Sequence, residues 1–165
     1  HKPEKTRFDH NGFEYPKEEM CNEILFVSRS EWGARPPKAV NYINSPGGVS
    51  YVFFHNTEES ECFCKDSCAQ NISLWQRVHQ DCQDWDDISY NFIIGTKGMV
   101  FEGRGWNKIG AHTVGFNNKS LSFAFVGNYS HKVPNERMLK AAQNLIQCGI
   151  KLNKISDGYT LHGQR

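Results

Sequence analysis

Apolar residues recur along this chain with two different periods, and the places where the period changes mark its elements. Tyr51 to Phe54 is a short run without a charged residue, which suits a strand buried on both faces of a sheet. From Ser67 to Asp84, the residues Ile72, Trp75, Val78, His79 and Cys82 recur at three- and four-residue steps, the signature of one helix face. Tyr90 to Ile94 and Met99 to Glu102 flank Gly95-Thr96-Lys97-Gly98, predicting a hairpin. Leu121 to Val126 predicts a further strand. After Pro134, the residues Met138, Ala142, Leu145, Ile146, Gly149 and Leu152 again keep helical spacing, with lysines on the other side. Tyr159 to Leu161 predicts a last strand. Strand and helix alternate, so the fold class is α/β: a central, mostly parallel or mixed β-sheet flanked by helices. Residues 1–23 are polar, hold Pro3 and Pro16 and show no period, so they read as a linker; residues 24–165 read as one domain.

Composition narrows the setting. The 165 residues carry 19 Lys and Arg against 18 Asp and Glu, a net charge of +1 that gives no electrostatic reason to bind nucleic acid or an anionic membrane. No apolar stretch approaches the roughly 20 residues that cross a bilayer, and the first residues lack the pattern of a signal peptide. Any export or anchoring segment is therefore expected outside this sequence. Six cysteines (Cys21, Cys62, Cys64, Cys68, Cys82 and Cys148) lack the paired knuckles of a zinc ribbon, which favours disulfides and leaves their pairing open. Three N-x-[ST] acceptors, at Asn71, Asn118 and Asn128, point with the cysteines to a glycosylated, extracellular protein.

Six segments in register then carry a resemblance. They are Trp32-Gly33-Ala34-Arg35; His55-Asn56-Thr57; Asp87 to Phe92; Glu102 to Trp106 leading to Gly110-Ala111-His112; Gly127-Asn128-Tyr129; and Leu161-His162-Gly163-Gln164-Arg165. Over residues 24–165 the chain resembles the peptidoglycan recognition protein family. The resemblance implies a fold like that of the type 2 zinc N-acetylmuramoyl-L-alanine amidases, with an open groove for muramyl peptide on one face of the sheet. It also implies disulfides between Cys62 and Cys68 and between Cys21 and Cys148, with Cys64 and Cys82 as a third pair tying the loop to the helix.

Amidases of this family hold zinc with a His after the first strand, a His in a terminal Y-G-H-R string and a later Cys, and the metal activates a water for hydrolysis. His55 stands at the first position. At the second stands Gln164, whose neutral amide substitutes poorly for imidazole, and no Cys follows in the sequence. His162 shares a strand face with Gln164 but lies about 6.6 Å along the strand, against a zinc–nitrogen bond of about 2 Å. Tyr90 matches the tyrosine that assists the amidase reaction; without a metal it is expected to line the groove. His79 is expected in the core, and His112 either there or against ligand. The resemblance thus implies the family's non-catalytic branch: not an enzyme, no cofactor, no metal.

The groove expected from the matching segments is lined by His55, Asn56, Thr57, Tyr90, Arg104, Gly105, Trp106, His112, Thr113, Phe116, Asn117 and Asn118. Gly105-Trp106 resembles the pair in members that prefer stems of the diaminopimelic acid type. Such members carry an arginine in a later N-R-x-S segment, where its fork grips the extra carboxylate. Here the segment reads Asn117-Asn118-Lys119-Ser120, and losing a charge-assisted bond forfeits roughly 1.5 to 3 kcal/mol. A sugar on Asn118 would also obstruct the groove. The expected function is a non-catalytic innate-immune receptor domain that helps to sense diaminopimelic-acid-type peptidoglycan as a co-receptor, pairing as a heterodimer with a ligand-loaded sister domain. It resembles the membrane-receptor branch of insect members, so the expected setting is the ectodomain of a single-pass membrane receptor, residues 1–23 being juxtamembrane, or a secreted protein. The alternatives are a domain that binds muropeptide itself, a zinc-dependent amidase and an adhesion module. Expected partners are a peptidoglycan fragment, direct or through a partner, and a second domain of the family.

Overall fold

The computed structural model describes residues 21–163. Gln164 and most of the expected linker lie outside them. Cys21 is nonetheless buried and bridged to Cys148, so packed structure begins ahead of the expected start at Ile24.

Six strands form one sheet: β1 (Phe26–Val27), β2 (Val49–Asn56), β3 (Phe92–Ile94), β4 (Val100–Glu102), β5 (Ser120–Phe125) and β6 (Ile155–Gly163), in the order β1-β4-β3-β5-β2-β6. Only the β3–β4 hairpin is antiparallel; every other pairing is parallel. The expected mixed sheet is therefore present. Three helices flank it: α1 (Arg29–Trp32), α2 (Lys65–Arg77) and α3 (Glu136–Lys151). α1 is started by a capping box in which the Ser28 hydroxyl accepts from the Glu31 amide and the Glu31 carboxylate from the Ser28 amide. α3 starts at Asn135, whose side chain accepts from the Met138 amide, one residue past the expected Pro134.

Strand alternation gives the sheet two different faces. Val52, Phe92, Ile94, Val100, Leu121, Phe123 and Phe125 meet Met138, Ala142, Leu145 and Ile146 of α3 in the larger core. On the other face Ile93, Phe101 and Val126 pack under Cys68 and Ile72 of α2. α2 covers only the β1-β4-β3 side, which leaves β5-β2-β6 on that face to be covered by something else. Each fully buried aliphatic or phenyl side chain contributes about 1.5 to 3 kcal/mol of transfer free energy, and that hydrophobic term holds the layers together.

Two expectations fail along α2. Its C-terminal end continues as a π-helical turn, Val78–Cys82, and the extra residue in that turn rotates the face. Val78 and Cys82 are exposed, and Gln76 and Gln80 are buried instead. These glutamines are satisfied there: Gln76 Nε2 donates to Arg35 O and Asp87 Oδ1, and Gln80 Nε2 to Pro36 O and Asp86 O. The second failure concerns the cysteines. Cys62–Cys68 and Cys21–Cys148 are bridged, with Cα atoms 5.1 and 5.3 Å apart, but Cys64 and Cys82 are free. Cys64 precedes α2 and Cys82 ends the π turn, so a stiff helix about 25 Å long separates them, whereas a bridge tolerates about 7 Å between Cα atoms. Two bridges still mark an oxidising compartment. No helix among the described residues is long and apolar enough to cross a membrane.

Candidate functional site

The face left open by α2 is floored by alternate residues of β2: Tyr51, Phe53 and His55. On β5 the facing positions are the small Ser120, Ser122 and Ala124, in register with them, and on β6 Thr160 and His162 stand beside Tyr51 and Phe53. Small residues in the centre leave room for a loop, residues 110–116, to settle over the sheet. Its entry is set by Gly110, where any Cβ would run into the His112 ring and the Ser89 carbonyl. Asn117 then clamps the loop, its Oδ1 accepting from the amides of His112 (2.9 Å) and Thr113 (2.8 Å).

The result is a continuous stack of rings. Phe53 lies 5.5 Å from Phe116, 6.0 Å from His112 and 5.2 Å from His162, with the last pair stacked. Tyr51 adds Phe116 at 5.2 Å, and Lys119 Nζ caps the Phe116 ring at 4.8 Å. His55 sits at the deep end, 5.4 Å from His112 and 5.7 Å from Tyr90. Thr113 Oγ1 is 3.0 Å from His112 Nδ1 and 3.4 Å from His55 Nε2. His55 retains 8% exposure and Phe53 6%, while Val114 at the loop tip is 95% exposed.

Burial removes the water that would solvate an imidazolium. It lowers the pKa of His55 to about 4; burial, then the neighbouring His55 and Arg104, lower that of His112 to about 3. His79, expected in the core, is half-buried beside Tyr90 and accepts from the Ser89 amide at Nδ1 (3.1 Å). Burial, aided by Arg104 against the opposing pull of Asp87, lowers its pKa to about 4. All three rings are neutral at physiological pH, and Tyr90, its pKa raised by burial, is a neutral phenol. The Nε2 of His112 has no hydrogen-bond partner in its buried position.

Behind the site, Asn91 fixes the Gly103–Lys108 stretch. It is fully buried; its Nδ2 donates to Gly105 O and Lys108 O, and its Oδ1 accepts from the Ser122 amide. Gly103 passes so close to the Tyr90 carbonyl that a side chain would overlap it. Asp87 ties α1 to α2 through a 2.8 Å ion pair with Arg29 and a bond from Gln76, and Arg29 in turn donates to Gly103 O.

The structure thus brings together His55, Tyr90, His112, Thr113, Phe116 and Asn117, with Asn118 exposed beside them in the 3-10 turn Asn117–Lys119. Five expected lining residues are placed elsewhere. Asn56 shares the register of Phe125 and so faces α3. Thr57 pins the end of β2 to the chain after β5, its hydroxyl accepting from the Gly127 amide. Arg104 donates to the backbone carbonyls of Ile88, Ile109 and Asp87, so its guanidinium supports the fold. Trp106 packs on Phe92 at 4.6 Å and against Gly149 of α3, on the far face of the sheet, and Gly105 is buried beside it. Sequence reading passed over Tyr51 and Phe53 as site residues, although their two-residue spacing from His55 would have found them. His162 lines the face as a ring stacked on Phe53. Among the described residues no three His, Cys, Asp or Glu side chains converge as a metal site, and Gln164 lies outside those residues.

The N-acetylmuramoyl-L-alanine amidase family model matches residues 45–165. Peptidoglycan-recognition protein 1 of Holotrichia diomphalia is 38% identical over 147 residues, which cover 89% of this chain and 73% of that protein. A structure of tracheal cytotoxin bound to the ectodomain complex of peptidoglycan recognition proteins LCa and LCx contains a chain that superposes with a TM-score of 0.81 at 37% identity, covering 85% of this chain and 84% of that one. The ectodomain of the Drosophila transmembrane receptor PGRP-LCa superposes with a TM-score of 0.78 at 34% identity, covering 82% of each chain.

Proposed function

Because the chain belongs to the peptidoglycan recognition proteins of the N-acetylmuramoyl-L-alanine amidase family, we propose that it acts as a non-catalytic receptor domain that senses diaminopimelic-acid-type peptidoglycan by pairing with a ligand-loaded sister domain. One observation carries this reading: the floor on which a muramyl peptide would rest is occupied by the protein's own rings, with Phe53 and His55 nearly inaccessible beneath the Asn117-clamped loop. A ligand site presents its convergent polar groups to the ligand. Here the neutral imidazole of His55 meets Thr113, His112 and Tyr90, and Arg104 is held by backbone carbonyls.

The absence of hydrolysis rests on ligand chemistry. A water-activating zinc site needs three protein ligands and an open position. His55 is the one side chain of the expected triad within the described residues, and the second position is a glutamine in the sequence. The sister-domain reading is supported by the complex of two such ectodomains around tracheal cytotoxin, a muropeptide recognised by a pair of domains.

Titration calorimetry of a monomeric diaminopimelate muropeptide tests this. The domain alone is expected to release no binding heat, and a ligand-competent family domain plus muropeptide is expected to recruit it. Tight binding by the domain alone would overturn the co-receptor reading, and zinc-dependent release of stem peptide would overturn the non-catalytic one.

A further inference from the structure

The three N-x-[ST] acceptors occupy very different places in the fold, and the differences decide which can carry a sugar in the folded protein. We infer that N-linked glycans are carried by Asn118 and Asn128 and that Asn71 is bare, with the Asn118 glycan standing on the rim of the ring-lined face. The modification is a group transfer: the side-chain Nδ2 attacks the anomeric carbon of a polyprenyl-diphosphate-linked oligosaccharide, an N–C bond forms, one N–H proton is lost and the diphosphate leaves.

Asn71 lies within α2, half-buried, between Cys68 and Trp75 on the helix and next to the fully buried Ile72. Its sequon hydroxyl, Ser73 Oγ, donates to the Trp32 carbonyl and so ties α2 to α1. A glycan on Asn71 would stand at the half-buried edge of the helix, beside the Ser73 hydroxyl that joins α2 to α1, where the folded chain leaves it the least room of the three. Asn128 is the opposite case. It is exposed after β5, and its Oδ1 accepts from both the Ser130 amide (3.0 Å) and the Ser130 hydroxyl (2.8 Å). Its oxygen is thereby fixed by its own sequon serine while Nδ2 is left for the sugar bond, so the folded loop needs no change to accept it.

Asn118 is exposed at the centre of the 3-10 turn Asn117–Lys119, and its sequon serine is buried, with Ser120 Oγ donating to Phe116 O (2.7 Å). Both neighbours belong to the ring-lined face: Asn117 clamps the loop over it, and the Lys119 ammonium sits over Phe116 and, at 5.8 Å, over Tyr51. A glycan rooted between them shields Lys119 and stands over the face whatever the face binds, so this inference is independent of the co-receptor reading.

The test is glycopeptide mapping of the chain secreted from insect cells. An N-glycosidase used in heavy-oxygen water converts each occupied asparagine to labelled aspartate. Label is expected at 118 and 128 and not at 71, and N118Q and N128Q are each expected to lose one mobility step while N71Q loses none. Label at Asn71, or its absence at Asn118 or Asn128, overturns the assignment. For the rim position, acylation of Lys119 is measured in glycosylated wild type and in N118Q. Acylation several-fold faster in N118Q supports shielding, and equal rates refute it.

Discussion

The two faces of the sheet are built by the same strands and held by different physics. Toward α3, β2 and β5 present Val52, Leu121, Phe123 and Phe125 to a helix stripe of Met138, Ala142, Leu145 and Ile146, a buried apolar layer. Toward the other side they present Tyr51, Phe53, His55, Ser120, Ser122 and Ala124 to a loop of rings. The first face is shaped chiefly by apolar burial and tolerates little loss of volume. The second is a polar-aromatic layer in which desolvated imidazoles, one with an unpartnered nitrogen, are held by a clamp of two backbone bonds. Among the described residues each face holds one buried side-chain atom without a hydrogen-bond partner, Asn56 Oδ1 toward α3 and His112 Nε2 in the ring layer, and the larger apolar core lies on the α3 side.

Substitution on each face sharpens this contrast. Leu145→Ala removes a fully buried side chain from the α3 layer and is expected to cost about 2 to 5 kcal/mol in denaturant unfolding. Phe116→Ala removes a half-buried ring that contacts Tyr51 and Phe53, and is expected to cost about 1 to 3 kcal/mol, from two ring pairs of about 0.5 to 1.5 kcal/mol each and its partial burial. Equal losses at the two sites would erase the distinction between the faces.

Acid probes the buried imidazoles as a group. His55 and His79 titrate near 4 and His112 near 3 in the folded protein, against about 6.5 in an unfolded chain. Below pH 6.5 the unfolded state therefore binds more protons. Stability from these neutral rings is complete above about pH 6.5 and is lost as pH falls toward 4, by at most about 1.4 kcal/mol per pH unit for each imidazole. Thermal midpoints measured from pH 7.5 to 4 should show that decline, and His112→Asn should make it shallower. A flat profile would mean that the rings are solvated.

The same contrast explains what could be read in advance. α3 was legible because one helix face repeats every three to four residues and nothing interrupts it, so Met138, Ala142, Leu145, Ile146 and Gly149 were all placed correctly. The β3–β4 hairpin was legible from Gly95 and Gly98. Along α2 the expected face is right at Ile72 and Trp75 and wrong at Val78 and Cys82, because a π turn has no simple sequence mark, and Gln76 and Gln80 are buried by partners distant in sequence. At the candidate site the motifs name His55, Tyr90, His112, Thr113, Phe116 and Asn117, which the fold brings together, but motifs do not say which way a side chain points. Trp106 sits in the best of those motifs and still turns to Phe92 and α3, because Asn91 holds the backbone of that stretch and leaves the indole on the far side.

The smallest effect is expected at the cysteines that the sequence paired and the fold keeps apart. Cys64 and Cys82 lie exposed at opposite ends of the α2 segment, and the Cys64 sulfur lies 3.3 Å from the hydroxyl of its neighbour Ser67. Replacing both by Ser should change stability by less than about 0.5 kcal/mol, as for surface positions in general. Replacing Cys21 and Cys148, which close most of the chain into one loop, should cost about 2 to 5 kcal/mol. Thiol titration of the unfolded, unreduced protein should count two free groups, and peptide mapping should assign them to Cys64 and Cys82. If the double serine variant instead lost several kcal/mol, α2 could not be the continuous rod that separates its ends, and the closure of the β1-β4-β3 side of the sheet would need another account.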